Sequence, residues 1–471
     1  MFARLPARIG VATLLLAAVA CSSSSAPLPS NANSGFDIDR DAFKFENFGS
    51  EYDAATIDTA LAVRMFGAEA VCVPGSNPCE ATADARAWME SANENMAEGH
   101  CEGMAVLSQL FYLKALDPST FGAATTRELQ LEGNYKLQRE LAYWFATQLV
   151  PGAAKNRALM PKEAVPFMAE FMKAGAAESY RIGMVQKTPT GFGESHSLTP
   201  IGFAKGESAD VYYVSVYDNN RPAVAGAIRL DVAQNTWEYQ GVTDAGPVVY
   251  TGGAAQKNPL YFAPVKSRMA KLTAPFGKGD TRTVLVRGAA PVVTDARGRE
   301  TGIKNGEVVE GNGTVDPGFS LCSGAGATVM VTANTPASDP VTVALAPTSG
   351  ANSSVNIAGG SLGSVTLKGS LASSSTGQIQ VDAKSVKVQP GGSGTVTAEF
   401  KVDDVTVKVS VNGSSTGSNL TVTRDATTGQ ISVSADNAPG GTIQVEMQKK
   451  DEKSGETLTT SYTAPATSGS T

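Results

Sequence analysis

Apolar positions divide the chain into a helical region followed by a long strand-rich region. Between residues 53 and 177, apolar side chains recur every three or four positions, the spacing of one face of an α-helix. From residue 180 to residue 250, short or alternating apolar runs indicate β-strands. The predicted helices are residues 53–70, 81–98, 102–116, 132–149 and 162–176. The predicted strands are residues 180–186, 197–203, 211–217, 226–232 and 237–239.

Helices followed by an antiparallel sheet predict an α+β domain over residues 51–275. After this domain, valine and threonine alternate between Gly/Ser/Asn turns, as in residues 395–400 and 405–411. We therefore expect an all-β, sandwich-like C-terminal region. Its predicted parts are a β-rich module at residues 276–345, one or more sandwich-like modules at residues 346–463, and a disordered tail at residues 464–471.

The first residues have the features of an export signal. Two arginines precede an apolar run over residues 9–20, which is shorter than the roughly 20 helical residues that span a membrane. The run ends in small residues directly before Cys21, a pattern that resembles the lipobox of bacterial lipoproteins. The resemblance implies removal of residues 1–20, a lipid on Cys21 and a tether over residues 21–50, at the outer membrane or cell surface. A cleaved secretory signal with an incidental cysteine is the alternative, and it also implies export.

Charge and cysteine content narrow the functional classes. Loss of residues 1–20 leaves 36 basic against 45 acidic residues, and a net charge of −9 without a basic cluster disfavours nucleic-acid binding. Cys72 and Cys79 enclose a short loop with Pro and Gly, so an oxidising compartment favours a disulfide there. A zinc pair is disfavoured because the chain has only two histidines, His100 and His196. We expect no metal and no cofactor.

Cys101 is a candidate nucleophile. It lies directly before a predicted helix, where the positive end of the helix dipole and free backbone N–H groups favour a thiolate. The same N–H groups are suited to stabilising an oxyanion. Glu98 and Glu102 act in the opposite direction, because nearby carboxylates disfavour a thiolate. Free cysteine is also often simply buried, and a disulfide between Cys101 and Cys322 would leave no nucleophile.

His196 and Asp218 form a second candidate pair. His196 precedes the strand predicted over residues 197–203, and Asp218 follows the strand predicted over residues 211–217. Each lies eleven residues from Glu207, so strands that pair symmetrically about this turn place the two side chains opposite one another. Cross-strand neighbours have Cβ atoms about 5 Å apart, which lets a carboxylate orient an imidazole. The alternative is an isolated histidine at a strand end.

This order of residues resembles that of papain-like peptidases and their transglutaminase-like relatives, in a poorly characterised branch of secreted bacterial proteins. The resemblance covers roughly residues 80–265. It rests on the segments Gly-His-Cys-Glu-Gly-Met, His-Ser-Leu-Thr-Pro and Val-Tyr-Asp-Asn-Asn-Arg-Pro. It implies that Cys101 is the nucleophile, His196 the general base and acid, and Asp218 the residue that orients the imidazole. Asn95 has the spacing of the amide that donates to the oxyanion, where the family usually has glutamine.

Two classes of function are consistent with these patterns. The first is a lipid-anchored cysteine hydrolase or acyl transferase that forms a thioester at Cys101 and acts on an amide bond of a peptide, protein or cell-envelope substrate. The second is a non-catalytic adhesin or scaffold whose β modules bind carbohydrate or another surface ligand. An accessible Cys101 thiol within reach of the His196 imidazole would distinguish them. We expect His100 at the surface or against the substrate.

Overall fold

The computed structural model describes most of the chain after its N-terminal segment. The predicted signal peptide, Cys21, Cys322 and the end of the predicted tail lie outside the described residues. The architecture is α+β, with helices and an antiparallel sheet first and two further antiparallel sheets after residue 281. The described residues are 27–466 without the gaps 189–190, 244–245, 277–281, 320–327, 337, 348–352, 361–362, 373–374, 403–404, 415–416, 426–427, 429, 438–440 and 451–456.

Each of the five predicted helices is present and is shorter than predicted, although α-helices begin at Cys101 and Pro161, one residue before the predicted starts. The first is divided at Gly67, whose φ of 89° suits glycine. The Asp58 and Thr82 side chains cap two helices by accepting hydrogen bonds from first-turn backbone N–H groups. The α-helices are α1 (Ile38–Asp41), α2 (Thr59–Phe66), α3 (Ala68–Val71), α4 (Ala83–Met96), α5 (Cys101–Tyr112), α6 (Tyr135–Ala146) and α7 (Pro161–Phe171). The 3₁₀-helices are Pro118–Phe121, Thr126–Glu128, Thr147–Leu149 and Lys266–Met269.

The first sheet has nine antiparallel strands. They are β1 (Asn31–Asn33), β2 (Arg157–Leu159), β3 (Tyr180–Thr188), β4 (Gly191–Lys205), β5 (Val211–Tyr217), β6 (Ala225–Asp231), β7 (Thr236–Thr243), β8 (Gly246–Gly253) and β9 (Leu260–Pro264). Their order is β2-β9-β3-β4-β5-β6-β7-β8, with β1 paired to β4 beside this path. The five predicted strands correspond to β3–β7. One core forms between these strands and α7, and a second forms among the helices.

Part of the predicted tether belongs to the folded domain. β1 pairs with the outer end of β4, with Asn31 opposite Ala204. Phe36 and Phe43 are both buried, and Phe43 packs in the helical core. Because these apolar side chains are removed from water, the tether predicted over residues 21–50 overlaps the domain from Asn31 onward.

The C-terminal strands form one sandwich of a nine-stranded and an eight-stranded sheet. Each sheet contains strands from both predicted modules, as two adjacent blocks, and the two sheets share a core of mainly valine, leucine and isoleucine. The two predicted modules therefore fold around a single hydrophobic core. The strands are β10 (Arg282–Arg287), β11 (Ala289–Thr294), β12 (Glu300–Lys304), β13 (Glu307–Glu310), β14 (Gly313–Phe319), β15 (Thr328–Ala333), β16 (Val341–Pro347), β17 (Ser353–Gly360), β18 (Gly363–Gly369), β19 (Gly377–Val381), β20 (Ser385–Gln389), β21 (Gly394–Val402), β22 (Val405–Ser414), β23 (Asn419–Arg424), β24 (Ile431–Asp436), β25 (Thr442–Lys450) and β26 (Thr457–Pro465).

The sandwich meets the first domain at α4. The Ser364 hydroxyl of β18 donates to the Asp84 carboxylate at 3.0 Å. Arg287 of β10 forms an ion pair with Glu98, just beyond the end of α4. The sandwich thus contacts the segment that leads into Cys101.

The predicted disulfide between Cys72 and Cys79 is present. A backbone bridge between Cys72 and Ala81 pairs the two ends of the enclosed loop. The disulfide therefore closes the Pro- and Gly-containing loop between the two cysteines, as their spacing predicts.

Candidate functional site

Cys101 begins α5, as the sequence predicts. The helix lies between α6 and β4, and its residues from Cys101 to Phe111 are all buried. Gly103 permits this close packing, because a Cβ at this position would lie 2.2 Å from the Leu141 carbonyl oxygen of α6. The start of α5 is therefore fixed against the rest of the domain by backbone-to-backbone contact.

The Cys101 sulfur is half of a disulfide, and the residue has 0% relative exposure. The other two described cysteines, Cys72 and Cys79, are bonded to each other. The remaining cysteines of the chain, Cys21 and Cys322, lie outside the described residues. The free thiol that a nucleophile requires is therefore not the form of Cys101 in this structure.

The predicted contact between His196 and Asp218 is present. The His196 Nε2 lies 2.7 Å from the Asp218 Oδ1, and both residues are buried. The predicted register is wrong, however, because β4 and β5 pair Thr199 with Tyr217 and contain a bulge after Pro200. The carboxylate reaches the imidazole from the residue after β5, outside the strand ladder.

Three further groups surround the Asp218 carboxylate. The Tyr239 hydroxyl donates to its Oδ2 at 2.5 Å, the Asn220 backbone N–H donates to its Oδ1 at 2.9 Å, and the Arg221 Nε lies 3.7 Å away. Burial opposes ionisation, but the His196 imidazole and these hydrogen bonds outweigh it and lower the pKa of Asp218 to about 2. An ionised Asp218 at neutral pH can fix the orientation of the His196 ring.

Polar contacts join the start of α5 to the strand that carries His196. The Asn219 Nδ2 donates to the carbonyl oxygens of both Cys101 and Ser197, at 3.1 Å each. The Ser197 hydroxyl in turn donates to the Oε2 of Glu102, the residue after Cys101, at 2.7 Å. Glu102 directly follows Cys101, and Ser197 directly follows His196. The hydrogen bond between Glu102 and Ser197 therefore joins the neighbours of the two candidate catalytic residues. With Nε2 facing Asp218, Nδ1 is the imidazole nitrogen left to serve a thiol.

Glu102 is buried between two arginines. The Arg181 Nε lies 2.8 Å from its Oε2, the Arg268 Nη2 lies 2.6 Å from its Oε1, and all three side chains are at most 1% exposed. Burial raises the pKa of Glu102, but the two guanidinium groups and Ser197 lower it to about 2. Since Glu98 is also paired, with Arg287, neither carboxylate flanking Cys101 is an uncompensated negative charge.

The prediction that His100 lies at the surface or against a substrate is wrong. His100 has 1% relative exposure and stacks on Phe48 with ring centroids 4.3 Å apart. Its Nδ1 lies 2.9 Å from the Phe48 carbonyl oxygen and its Nε2 lies 3.0 Å from the Ala55 carbonyl oxygen. Burial lowers the pKa of His100, although the two carbonyl oxygens favour its protonated form. His100 therefore anchors residues 48–55 to the site rather than contacting solvent.

Asn95, the predicted oxyanion donor, is buried in α4. Its Nδ2 donates to the Ser91 carbonyl oxygen at 2.7 Å, one turn earlier in the same helix. The role of Asn95 toward an oxyanion stays a prediction.

Several site residues were not found from the sequence. Tyr239 and Arg221 reach Asp218, and Arg181 and Arg268 reach Glu102, through pairings between distant segments. Arginines within otherwise apolar strands were a usable signal, since a charge in such a position needs a buried partner. The identity of that partner depends on strand register, which the sequence does not reveal.

Comparison with known proteins adds no relative. The chain matches no protein-family model, no curated protein and no solved structure. Within the residues that the structure describes, no group of three or more His, Cys, Asp or Glu side chains is arranged to hold a metal ion. Among those same residues, no helix is both long enough and apolar enough to cross a membrane. The site is therefore interpreted from its own geometry.

Proposed function

We propose that this protein is a cell-envelope cysteine hydrolase or acyl transferase of papain-like type, anchored by a lipid on Cys21 and present here in an oxidised resting form. The observation that carries the proposal is the buried pair of His196 and Asp218, whose side chains are 2.7 Å apart. His196 lies on β4, and this strand is hydrogen-bonded to the helix that Cys101 begins. The order of the three residues along the chain agrees with a cysteine–histidine–aspartate triad, and the contact of His196 with Asp218 would orient the imidazole. The acyl substrate would be an amide of a peptide, protein or cell-envelope component.

The disulfide at Cys101 requires a reductive step before catalysis. An external thiolate attacks the partner cysteine's sulfur, the S–S bond breaks, and Cys101 leaves as a thiolate. A second thiol then resolves the mixed disulfide, so that two thiols of the reductant become one disulfide and the protein gains two thiols. An oxidised Cys101 cannot attack a carbonyl, because the thiolate is the nucleophile.

The reduced form would carry out acyl transfer in two steps. The Cys101 thiolate attacks the amide carbonyl carbon, and the protonated His196 gives its proton to the leaving amine as the C–N bond breaks. In the second step, His196 removes a proton from water or from an acceptor amine, which displaces Cys101 from the thioester. The ionised Asp218 would stabilise the imidazolium that is present before the first step and that forms again in the second. The backbone N–H groups at the start of α5 would stabilise the oxyanion.

A covalent probe tests the proposal. The full mature chain is reduced, treated with a peptidyl vinyl sulfone, and analysed by intact and peptide-level mass spectrometry. We expect one adduct, on Cys101, in the reduced parent, and none in the unreduced parent or in Cys101→Ser. His196→Ala should lose the adduct while retaining its fold. Labelling at Cys101 that persists unchanged in His196→Ala, or no labelling of the reduced parent by a panel of such probes, would contradict the proposal.

A second function, non-catalytic binding, is favoured by a separate set of observations. Cys101 is disulfide-bonded and without solvent exposure, so it serves equally as a structural cross-link. The eight-stranded sheet of the sandwich carries a groove of about 460 Å³ lined entirely by polar side chains. These residues are Thr342, Gln378, Gln380, Lys387, Gln389, Asn419, Thr421 and Asp436. Neutral amides and hydroxyls predominate, and such groups suit the hydroxyls of an uncharged saccharide.

The groove differs from the outer face of the nine-stranded sheet. There a row of alternating charges crosses the strands, since Lys408 pairs with Glu399 on one side and with Glu446 on the other. Such a row is typical of a solvated face. The groove instead has Gln380 opposite Thr342 and Lys387. In this second function the sandwich would bind a surface saccharide and the first domain would act as its support.

A further inference from the structure

One hydrogen bond directly joins the side chains that follow Cys101 and His196. The Ser197 hydroxyl donates to the Glu102 carboxylate at 2.7 Å, and both residues are 0% exposed. Any shift of the start of α5 along β4 would break this bond. The bond therefore fixes the position of the segment that contains Cys101 relative to the segment that contains His196.

The Glu102 carboxylate is itself immobilised from two directions. Arg181 approaches from β3 and also donates from Nη1 to the Tyr261 carbonyl oxygen of β9 at 2.9 Å. Arg268 approaches from the 3₁₀-helix Lys266–Met269 and donates from Nε to the Pro264 carbonyl oxygen at 2.6 Å. Since each arginine is tied to the backbone of the sheet, the carboxylate is held as rigidly as the sheet itself.

Two guanidinium groups contact the single carboxylate of Glu102. A carboxylate and a hydroxyl alone would suffice for a local hydrogen bond, whereas burying two arginines at most 1% exposed carries a large desolvation cost. This arrangement has two effects that a neutral packing contact would lack. It fixes Ser197, and it neutralises the carboxylate that directly follows Cys101.

We propose that Ser197 and Glu102 are positioning residues that hold Cys101 and His196 within proton-transfer reach of each other. The inference rests on the proposed cysteine-hydrolase function, because positioning has meaning only if the two groups form a pair. Neither residue contacts the reacting atoms. Their effect acts through the relative placement of α5 and β4, where a displacement of about 1 Å is sufficient to lower a reaction rate about 100-fold.

The chain offers a closely matched control for this hydrogen bond. The Thr199 hydroxyl lies two residues further along β4 and donates to the Ala105 carbonyl oxygen of α5 at 3.3 Å. It joins the same strand to the same helix, and it is equally buried. It does not contact Glu102 in the structure, so its removal tests strand–helix packing without disturbing the cluster.

The experiment measures site-resolved alkylation of Cys101 by iodoacetamide in the reduced full chain from about pH 5 to pH 9. Ser197→Ala should lower the rate at about pH 6.5 by about tenfold or more and move the midpoint of the pH profile upward. Ser197→Thr, which restores a hydroxyl, should recover most of the rate. Thr199→Val should keep the parent profile. Tryptophan fluorescence of each variant checks that the first domain is folded.

The outcomes separate this inference from the function on which it rests. A parent profile that already lacks dependence on His196 would overturn the proposed function. A His196-dependent parent profile that is unchanged in Ser197→Ala would overturn only the positioning role. Equal losses in Ser197→Ala and Thr199→Val would also overturn it, because they would show a general packing effect.

Discussion

The two parts of this molecule bury very different material. The sandwich core consists mainly of valine, leucine, isoleucine and alanine, packed between two sheets, although Arg282 of β10 is also fully buried. The first domain buries aliphatic and aromatic side chains too, but its centre also contains His100, Glu102, Arg181, His196 and Asp218, each at most 2% exposed. Buried charge is costly and is retained where geometry or chemistry requires it. The proposed chemistry is assigned to the first domain because its buried ionisable side chains form contacting groups, such as His196 with Asp218 and Glu102 with Arg181. The proposed saccharide binding is assigned to the surface of the sandwich.

The largest expected effect comes from the buried carboxylate beside Cys101. Glu102→Gln leaves Arg181 and Arg268 without a compensating charge, so the free energy of unfolding should fall by about 3–5 kcal/mol. Urea denaturation followed by tryptophan fluorescence measures it, because the only tryptophans, Trp88, Trp144 and Trp237, lie in the first domain. If the buried charges stabilise the first domain, the midpoint of this unfolding transition should move to a lower urea concentration in Glu102→Gln.

A core variant of the sandwich serves as the control for that measurement. Val409 is fully buried in β22, and Val409→Ala removes only aliphatic contacts, which costs about 1–3 kcal/mol. This loss should appear mainly in a circular-dichroism signal from the strands and less in tryptophan fluorescence. If Glu102→Gln leaves the tryptophan transition where it is in the parent, the buried cluster does not carry the stability assigned to it.

A second effect depends on pH and involves His100. Because burial lowers the pKa of His100 below its ordinary value of about 6.5, the unfolded chain takes up a proton at this residue before the folded chain does. Its contribution to stability is therefore present above about pH 6.5 and is lost as the pH falls below that value. The free energy of unfolding should decrease from about pH 7 to pH 5, and His100→Gln should flatten this slope.

The same measurement at lower pH separates His100 from the two buried carboxylates. Asp218 and Glu102 have pKa values lowered to about 2, so their contributions are present above their unfolded pKa values of about 4 and are lost only as the pH falls toward 2. A slope between pH 7 and pH 5 that is identical in His100→Gln would show that this histidine is not the group responsible.

The smallest effect on stability is expected at the groove of the sandwich. Gln380→Ala removes an exposed amide and should change the free energy of unfolding by less than about 0.5 kcal/mol. If the groove binds an uncharged saccharide, the variant should weaken binding of cello- or chito-oligosaccharides measured by calorimetry. Lys408→Ala, on the outer face of the other sheet, should not. Absence of saccharide binding by the parent at millimolar concentration would contradict the second function.

Local patterns in the sequence were sufficient for the elements but not for their pairing. The five helices of the first domain, five of its strands and the Cys72–Cys79 disulfide follow from apolar spacing and cysteine spacing. The merging of two predicted modules into one sandwich did not, because strand order within a sheet depends on contacts between distant segments. The entry of residues 31–48 into the fold was missed for the same reason.

The candidate site shows the same limit at the level of single residues. His196 and Asp218 are in contact as predicted, but through a register that differs from the symmetric one because of a bulge after Pro200. The sequence predicted His100 at the surface or against a substrate, because it is adjacent to Cys101. In the structure it is buried against the Phe48 ring and two backbone carbonyl oxygens. Cys101 is disulfide-bonded, the state that the sequence raised only as an alternative to a free nucleophile.

The central claim is that reduced Cys101 and His196 form a functional pair, and the pH dependence of Cys101 alkylation tests it most directly. The full chain is reduced, treated with iodoacetamide and mapped by mass spectrometry, so that Cys101 is distinguished from the other cysteines. The account predicts fast alkylation below about pH 7 that slows by about tenfold or more in His196→Ala. A Cys101 that stays unreactive after reduction, or that titrates near the ordinary thiol value of about 8.5 with and without His196, would contradict it.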